Sequence, residues 1–447
     1  MSPLAAPCQT DPVGRPPGRT VLLGDVCELI TKGTTPTSYG HEFVEKGVNY
    51  VKVESISDDG RLLTDTFDHV SPKTHEFLAR SQLQAGDVLF TIAGTIGRCA
   101  VVDREILPAN TNQAVAILRP SRQKVIPRYL RYVLSTPEFA FHAGSRVHQS
   151  VQANLNLADL RKAPVLLPDL PTQQRLLGVV SPLDDKIDLN RRMNQTLEET
   201  ARALFKFWFV DFGPVRAKAE GRWKKGESLP GCLANMWDLW PSEFEETEIG
   251  EIPKEWKVVG LGETAICRRE LVDPSEIDPE ARYVGLEHIA PRSLSLWRWG
   301  RVGDTVSGKA RFSKGDVLFG KLRPYFHKVC APSFDGVAST DILTIRPSVP
   351  SWFAFVLGHL NTPQLIDHAT ATSNGTKMPR TSWDDLARWQ VALPPQEVAD
   401  SLTGMTAPMI SKMGQAIEES RALSATRDAL LPKLLSGEIR VHGGEAQ

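Results

Sequence analysis

The sequence predicts a mixed α/β (α+β) fold in which two similar domains are separated by an antiparallel two-helix coiled-coil spacer, with a pseudo-two-fold internal repeat. The string Gly-Asp-Val-Leu-Phe occurs twice, at residues 86–90 and 315–319. After each of the two segments that contain this string comes a long stretch with seam positions spaced alternately four and three apart. A duplicated chain presents two copies of one surface, which a reader of a two-part ligand requires.

The repeat extends far beyond the two identical strings. Four pairs of segments correspond in order, at offsets that fall from 233 (283 − 50) to 220 (418 − 198): residues 50–56 with 283–289, 86–90 with 315–319, 117–120 with 344–347, and 198–200 with 418–420. Chance matches would not keep one order with a slowly drifting offset, so the pattern indicates a duplication. A duplication of a globular domain without functional meaning is the alternative interpretation.

The predicted segments follow from these patterns. In order, they are a disordered leader at 1–19, a first mixed domain at 20–170, a central spacer helix at 171–211, a connector at 212–255, a second mixed domain at 256–394, a C-terminal spacer helix at 395–437 and a tail at 438–447. Strand-like runs are predicted at 48–53, 88–92, 114–118, 282–286, 317–319 and 342–345. One helix per domain is predicted, at 127–141 and 350–367, each with Pro first. The repeated Gly-Asp predicts a turn that feeds a strand.

The first spacer helix has the more regular seam, which includes Asn190 and Asn194 as buried polar positions that fix register. Ser181-Pro182 interrupts the pattern and predicts that the regular helix starts at Pro182, with Ser181 as its cap. Residues 182–208 would then span roughly 40 Å. The second seam contains Gly404, Pro408 and Gly414 and is poorer in apolar residues. Two amphipathic helices lying on separate domains are the alternative.

Bulk properties exclude several classes of protein. The 447 residues carry a formal net charge of −1, and no apolar run reaches membrane-spanning length. The leader lacks the basic-then-apolar pattern of a secretory signal. Six scattered cysteines without Cys-x-x-Cys spacing favour a reducing, cytoplasmic setting over a disulfide framework or a zinc site. A near-neutral total mildly opposes DNA binding by the whole surface, but it permits basic faces balanced by acidic segments.

Motifs for chemistry are missing from the sequence. Residues 260–265 read Gly-x-Gly-x-x-Ala, but no clear βαβ unit follows, which argues against a dinucleotide site. We find no phosphate-cradling Gly-x-x-x-x-Gly-Lys-Ser/Thr and no Asp- or Asn-Pro-Pro-aromatic string of an amino-methyltransferase. The histidines show no metal-ligand spacing, and no catalytic pair stands out. We therefore predict a binding protein without catalytic residues, metal or cofactor of its own.

Polar and basic loops recur at equivalent places in the two copies. We call them loop 1 (residues 32–37), loop 2 (91–98) and loop 3 (146–154) in the first copy, and loop 2′ (320–325) and loop 3′ (373–380) in the second. Arg and Lys pair with guanine, Asn and Gln with adenine, and Ser, Thr and Lys with phosphates. The alternative is that these loops are merely solvated. The candidate DNA-binding residues are Lys32, Thr34, Thr35, Arg98, Arg146, His148, Gln149, Gln152, Asn154, Lys321, Arg323, Tyr325, Asn374, Thr376, Lys377 and Arg380.

Two stretches carry a resemblance to a known family. Residues 183–221, with Leu-Asp-Asp-Lys-Ile, Asn-Arg-Arg-Met-Asn and Phe-Lys-Phe-Trp-Phe-Val-Asp-Phe, resemble the central region of the DNA-specificity subunit of type I restriction–modification systems. Residues 427–438, Arg-Asp-Ala-Leu-Leu-Pro-Lys-Leu-Leu-Ser-Gly-Glu, resemble that family's C-terminal region. The resemblance covers residues 20–441. The interrupted first seam and the poorer second seam depart from the family pattern.

The resemblance implies a function and a set of partners. Two inverted target-recognition domains would each read half of a bipartite, asymmetric site in double-stranded DNA. Two methyltransferase subunits would dock on the helical region and a restriction (translocase-nuclease) subunit would join them, with S-adenosylmethionine, ATP and Mg²⁺ on those partners. A methylation-only complex, a phage-exclusion complex and a non-DNA coiled-coil scaffold are the alternatives. Aromatic residues are candidates for methyltransferase docking, or else close the local core: Phe205, Phe207, Trp208, Phe209 and Phe212.

Overall fold

The computed structural model describes residues 18–144, 154–305, 307–375 and 377–441, with the backbone alone for 141–144. The predicted leader therefore lies almost wholly outside the described residues, as does most of the predicted tail. Contacts divide the chain into two compact units, unit 1 (Met1–Asp185 with Leu423–Gln447) and unit 2 (Lys186–Ala422). In the part of the chain that the structure describes, no helix is both long and apolar enough to cross a membrane.

Unit 1 contains the first mixed domain. Its strands are β1 (Arg19–Leu22), β2 (Cys27–Lys32), β3 (Phe43–Val44), β4 (Val48–Val51), β5 (Asp68–Val70), β6 (Val88–Thr91), β7 (Cys99–Val101), β8 (Ala109–Thr111), β9 (Val115–Pro120) and β10 (Pro164–Leu167). Its helices are α1 (Leu23–Val26), α2 (Pro72–Phe77), α3 (Pro127–Leu134), α4 (Pro137–Gly144), α5 (Leu157–Arg161) and the start of α6 (Leu170–Phe209). The strands form sheets of order β2-β9-β6-β7 and β3-β5-β4-β8 and the pair β1-β10, in which only β4 and β8 run parallel.

Strands β6 and β9 are the two central strands of their sheet, and a hydrophobic cluster covers each of their faces. Val88 and Phe90 pack into one hydrophobic cluster, whereas Leu89, which points to the opposite face, packs into another. The same alternation separates Leu118 from Ile117 on β9. A strand buried on both faces reads as a continuous apolar run, which is why the sequence pattern located these two strands.

Unit 2 repeats this architecture. Its helices are the rest of α6, α7 (Gly213–Ala219), α8 (Phe353–Leu360), α9 (Pro363–Ala371), α10 (Trp383–Ala387) and most of α11 (Gln396–Ser436). Its strands are β11 (Phe244–Thr247), β12 (Gly250–Pro253), β13 (Lys257–Gly260), β14 (Ala265–Arg268), β15 (Leu271–Val272), β16 (Arg282–Val284), β17 (Gly300–Arg301), β18 (Lys309–Phe312), β19 (Val317–Gly320), β20 (Val329–Cys330), β21 (Gly336–Ser339), β22 (Ile342–Pro347) and β23 (Gln390–Leu393). The sheets have the orders β14-β22-β19-β20 and β15-β18-β21-β16-β17, with the pairs β13-β23 and β11-β12.

The shared topology confirms the predicted repeat and the mixed α/β class. The sheet β2-β9-β6-β7 corresponds strand for strand to β14-β22-β19-β20, and the pair β1-β10 corresponds to β13-β23. All six predicted strands are present at the predicted places, within a few residues at each end. The prediction of one helix per domain is wrong, because each domain has two consecutive helices there, α3 and α4 in the first and α8 and α9 in the second. Pro137 and Pro363 lack the N–H that would continue the preceding helix, and each starts a new one.

The connector is ordered, and it forms part of the unit 2 core. Trp223 and Trp240 are buried, and the ring of Trp240 lies 5.1 Å from that of Trp208 in an edge-to-face arrangement. Edge-to-face packing of aromatic rings adds to the free energy gained by burying their area.

The two spacer helices are long and pack antiparallel. Helices α6 and α11 contain 40 and 41 residues, roughly 60 Å each. Within unit 2, Asn190 Nδ2 donates to Glu419 Oε2 (2.8 Å), whereas Asn194 Nδ2 donates to the carbonyl oxygen of Met413 (3.1 Å). The residue number of the α11 partner falls as the residue number along α6 rises, so the two helices are antiparallel. This contact rules out the alternative of two amphipathic helices that lie on separate domains.

The expected start of the first spacer helix at Pro182 is wrong. Helix α6 begins at Leu170 and contains Pro182 in its interior. A proline removes one backbone hydrogen bond, so side chains that flank it must hold the helix together. Val180 is 2% exposed, and the carboxylate of Asp184 accepts from Arg131 Nη1 at 2.8 Å and from Arg427 Nη1 at 2.6 Å, all within unit 1.

Candidate nucleic-acid interface

The repeated Gly-Asp forms the same buried joint in both domains. Gly86 and Gly315 have φ values of 89° and 92°, a region that residues with a side chain rarely adopt. The following carboxylate of Asp87 accepts from Arg119 Nε and Nη2, both at 2.8 Å. Asp316 makes the equivalent pair with Arg346, at 2.6 and 3.1 Å. This joint clamps β6 to β9 and β19 to β22, so the string is a scaffold for the loop that follows it.

Loop 2 leaves β6 as a tight turn that fixes its own backbone. Thr91 Oγ1 donates to the carbonyl oxygen of Thr95 (2.6 Å) and accepts from the backbone N–H of Arg98 (2.9 Å). The predicted contact residue Arg98 is half-buried, and its Nε donates to Asp58 Oδ1 at 2.7 Å. A guanidinium in an ion pair with an exposed carboxylate exchanges partners at little cost, so Arg98 remains available to a phosphate.

Loops 1 and 2 and the described end of loop 3 converge on the start of β9. Gly33 N donates to the carbonyl oxygen of Val115 (3.2 Å), and Ile92 N donates to that of Ala114 (2.8 Å). The residue that follows loop 3 is joined to loop 2, because Leu155 N donates to the carbonyl oxygen of Ile92 (2.9 Å). Loop 1, loop 2 and the last residue of loop 3, Asn154, therefore meet at one edge of the domain.

The candidates of loops 1 and 3 are placed as follows. Lys32 and Thr34 are half-buried, and Thr34 accepts a hydrogen bond at its carbonyl oxygen from Tyr50 Oη (2.9 Å). Thr35 Oγ1 donates to Gln113 Oε1. Asn154 is exposed and lies in an antiparallel bridge with Ala93. Four loop 3 candidates lie outside the described residues: Arg146, His148, Gln149 and Gln152.

Sequence reasoning missed one residue at this convergence. Gln113 is exposed directly before Ala114, the attachment point of loop 2, and its amide suits a base edge. Its position depends on hydrogen bonds between segments about eighty residues apart, so local pattern gave no signal. One signal was present in the sequence. Ala114 is equivalent to Asp341 at the repeat offset of 227 (341 − 114), which marks the turn before β9 as the counterpart of the turn before β22.

Loops 2′ and 3′ are joined by the same hydrogen bonds in the second domain. Lys321 N donates to the carbonyl oxygen of Asp341 (3.0 Å), and Thr381 N donates to that of Lys321 (3.1 Å). Arg323 N also donates to the carbonyl oxygen of Pro379 (2.8 Å). Antiparallel bridges pair Arg380 with both Leu322 and Asn374. The structure thus brings the predicted loops together.

The cationic side chains of these joined loops differ in whether they form an ion pair. Arg380 Nε donates to Asp341 Oδ1 at a long 3.3 Å, whereas Lys321 and Lys377 make no ion pair with any residue that the structure describes. Lys377 and Asn374 are exposed, Lys321 and Arg323 are half-buried, and Tyr325 is 50% exposed. Thr376 lies outside the described residues. Unpaired ammonium groups on a loop surface attract phosphates, which supply most of the affinity for nucleic acid.

The aromatic docking candidates lie in the core of unit 2. Trp208 is fully buried, and its Nε1 donates to the carbonyl oxygen of Gly231 (3.1 Å). Phe205, Phe209 and Phe212 are at most 9% exposed, and Phe207 is half-buried. These rings close the local core, which was the alternative interpretation. A docking partner would contact exposed neighbours of these rings.

Within the described ranges no group of three or more His, Cys, Asp or Glu side chains is arranged to hold a metal ion. What the loop edges offer instead is hydrogen-bond donors, amides and cations on a rigid support. The molecule is therefore defined as a two-domain protein with a helical spacer and one polar loop edge per domain.

Comparison with known proteins shows which proteins this chain resembles. Residues 19–199 match the family model described as type I restriction modification DNA specificity domain. Over 412 residues the chain is 27% identical to the HindI specificity subunit of Haemophilus influenzae, covering 81% of this chain and 88% of that one. It is 24% identical to the MjaIX specificity subunit of Methanocaldococcus jannaschii, covering 80% of this chain and 78% of the relative. The chain is therefore similar to type I restriction enzyme specificity subunits over most of its length.

A solved structure supports the fold. The S subunit of the type I restriction-modification system of M. genitalium superposes with a TM-score of 0.53 at 11% identity, covering 95% of this chain and 98% of that one. Similarity at this level of identity concerns the fold, so the functional inference depends on the sequence relatives and on the loop geometry.

Proposed function

We propose that this chain is the DNA-binding specificity subunit of a type I restriction–modification complex, in which each mixed domain reads one half of a bipartite, asymmetric site in double-stranded DNA. One observation carries this proposal. The same backbone hydrogen bonds join the loops at one edge of each domain, while the side chains on those loops differ. A common support with unlike side chains is suited to reading two unlike sequences with one docking geometry.

The differences between the loops favour an asymmetric site. Loop 2 contains two glycines at positive φ, Gly94 and Gly97, and few long side chains. Loop 2′ contains Lys321, Arg323 and Tyr325 at the corresponding places. Base identity is read by side chains that reach the base edges, so loops of different composition select different bases. The two half-sites should therefore differ, and the full site should not be a palindrome.

The proposal assigns the chemistry to partner subunits. Methyltransferase subunits would use S-adenosylmethionine to methylate the site, and a restriction subunit would use ATP and Mg²⁺. In this division of labour, the chain supplies the choice of sequence and its partners supply the reaction.

The decisive experiment is co-expression of this chain with the methyltransferase subunit encoded beside it, in a host without other adenine methylation. Sequencing that detects methylated bases should recover two unlike half-sites separated by a gap of fixed length without sequence preference. Recovery of one continuous palindrome would contradict the proposal. Recovery of no motif, together with duplex binding that does not weaken as salt rises, would instead favour a non-DNA scaffold.

A challenge with unmethylated phage separates restriction from methylation alone. The complex should protect the host only when the restriction subunit is co-expressed. Protection in the absence of that subunit would indicate a phage-exclusion complex of another kind. If the complex methylates its motif but does not protect the host even when the restriction subunit is present, it would be a methylation-only complex.

A further inference from the structure

Two neighbouring aromatic rings in loop 2′ and the residue after it are exposed to solvent. Tyr325 is 50% exposed and Phe326 is 44% exposed, with their ring centroids 4.8 Å apart. The residues on either side are buried, because Pro324 packs inward and His327 is 8% exposed. The chain therefore anchors both ends of a short turn and leaves the two rings between them in water, where apolar surface is unfavourable.

The backbone of this turn is strained on both sides of the rings. Arg323 and His327 have φ values of 51° and 50°, in the left-handed region, which residues other than glycine adopt uncommonly, although histidine does so more often than arginine. Hydrogen bonds hold the strain in place. Phe326 N donates to the carbonyl oxygen of Arg323 (3.0 Å), His327 N donates to that of Pro324 (2.8 Å), and Arg292 N donates to that of His327 (2.8 Å). Strain that is over-determined in this way is typical of a functional position.

The two joined loops that carry the rings also carry cationic side chains. Lys321 and Arg323 belong to the same loop, and Lys377 and Arg380 belong to loop 3′, which is joined to it through the Arg323 N–Pro379 O hydrogen bond of 2.8 Å. A polyanion with apolar flat faces complements such a surface. Duplex DNA has this combination, since phosphates contact the cations while an opened base step exposes base faces to an aromatic side chain.

The first domain lacks an aromatic pair at the equivalent positions. The repeat offset of 229 places Ile96 and Gly97 at the positions of Tyr325 and Phe326 (325 − 229 and 326 − 229). Ile96 is half-buried, and Gly97 has no side chain. Any contact made by the ring pair is therefore confined to one of the two domains.

We propose that Tyr325 and Phe326 form a wedge that stacks on the bases of one DNA step and opens it, so that the second domain reads part of its half-site through the deformability of that step. This inference rests on the proposed function, and it adds an indirect mode of reading to one half-site only. Flexible pyrimidine–purine steps open most easily, so the half-site read by unit 2 should contain one at the wedge.

The test uses the complete complex with its methyltransferase subunits and a duplex that carries the methylation motif found by sequencing. 2-Aminopurine replaces one purine at a time across both half-sites and the gap, leaving out the methylated adenines. The fluorescence should change on binding at one step in one half-site. That change should be absent with the double variant Tyr325→Ala/Phe326→Ala, whose affinity should fall about ten- to a hundredfold.

The controls separate stacking from loss of structure. Tyr325→Phe keeps an aromatic face and should retain both the fluorescence change and the affinity. Leu233→Ala removes another exposed apolar side chain of unit 2, which belongs to the connector and not to loop 2′ or loop 3′, and should behave like the wild type. The thermal melting curve of the double variant should match that of the wild type, because the two rings are exposed.

Two results would overturn the wedge. In the first, the double variant binds the duplex as tightly as the wild type and gives the same fluorescence changes. In the second, it keeps its DNA affinity as a free subunit but no longer co-purifies with the methyltransferase, which would make the rings a protein contact. If the wild-type complex itself shows no preference for the motif duplex over a scrambled one, the proposed function fails, and the wedge fails with it.

Discussion

The backbone N–H of Leu155 donates to the carbonyl oxygen of Ile92 at 2.9 Å, and this bond attaches the residue that follows loop 3 to loop 2 in the first domain. The equivalent bond in the second domain runs from Thr381 N to the carbonyl oxygen of Lys321, at 3.1 Å. Backbone hydrogen bonds do not depend on which side chain is present. The support of the polar loop edge can therefore persist while the side chains on it change.

Lys377→Ala tests whether loop 3′ contacts phosphate. Lys377 is exposed and has no ion pair among the described residues, so its removal should not disturb the fold. Loss of one phosphate contact should lower the slope of log affinity against log salt by about 1, equally for all sequences. Fluorescence anisotropy of the complex with the motif duplex at several salt concentrations measures this slope. Lys257→Ala, an exposed lysine of β13, is the matched control, and an equal change in both variants would contradict a specific role for Lys377.

Local pattern was sufficient to predict the strands and the repeat. Gly86 and Gly315 adopt the positive φ that a turn requires, and the apolar runs after them are buried strands, as predicted. Asn190 and Asn194 are buried in the seam at 1% exposure, because a seam position faces the partner helix whatever side chain it carries. These features follow from periodicity and from turn chemistry, which short windows of sequence contain.

Features that depend on distant contacts could not be predicted. Pro182 was expected to start a helix, but side chains from α3 and α11 stabilise α6 across it. Phe209 and Trp208 looked like surface anchors because the core that covers them, including Trp240 of the connector, is supplied by segments with no clear period. Gln113 lies at the polar loop edge because hydrogen bonds from remote segments place the turn before β9 there. Pattern finds elements, but the packing of remote segments decides which side chains remain exposed.

Asp87→Asn should destabilise the chain by about 3 kcal/mol, because it leaves the Arg119 guanidinium without its charged partner at a buried joint. Asp87 is 1% exposed and also accepts from the backbone N–H of Gln84 at 2.8 Å. Urea unfolding followed by circular dichroism measures the loss. Asp58→Asn is the matched control, since Asp58 makes a comparable 2.7 Å contact with Arg98 but is exposed. It should cost less than about 1 kcal/mol. If both variants lost the same unfolding free energy, burial would not be the reason that the Asp87–Arg119 ion pair stabilises the protein.

Asp184 should make stability depend on acid pH. Burial alone would raise the pKa of this carboxyl, but Arg131, Tyr132 and Arg427 outweigh that effect and lower the pKa below its ordinary value. A lowered folded-state pKa stabilises the protein above the unfolded pKa of about 3.9, and the benefit is lost as pH falls through the folded value. The difference in unfolding free energy between the wild type and Asp184→Asn should therefore be constant near neutral pH and shrink below about pH 4.

Asp185 supplies the control for that titration. It is the exposed neighbour of Asp184 and makes one ion pair, at 2.8 Å, with Arg128. Asp185→Asn should lower stability only slightly at neutral pH. If the gap between the wild type and Asp184→Asn stayed constant down to pH 3, the buried cluster would not be the source of acid sensitivity.

Asn190→Leu with Asn194→Leu should raise the melting temperature and make the pairing of α6 with α11 less specific. Both side chains are buried, and the Oδ1 atom of each has no hydrogen-bond partner among the described residues, so each asparagine lowers stability. Leucine removes that penalty, but it also removes the Asn190 Nδ2 bonds to Glu419 Oε2 (2.8 Å) and Ser420 Oγ (3.2 Å), which only one register satisfies. Cysteine pairs placed for the native register and for a register one turn away should cross-link only natively in the asparagine protein and in both registers in the leucine protein. Native cross-links alone in both proteins would mean that apolar packing sets the register without the asparagines.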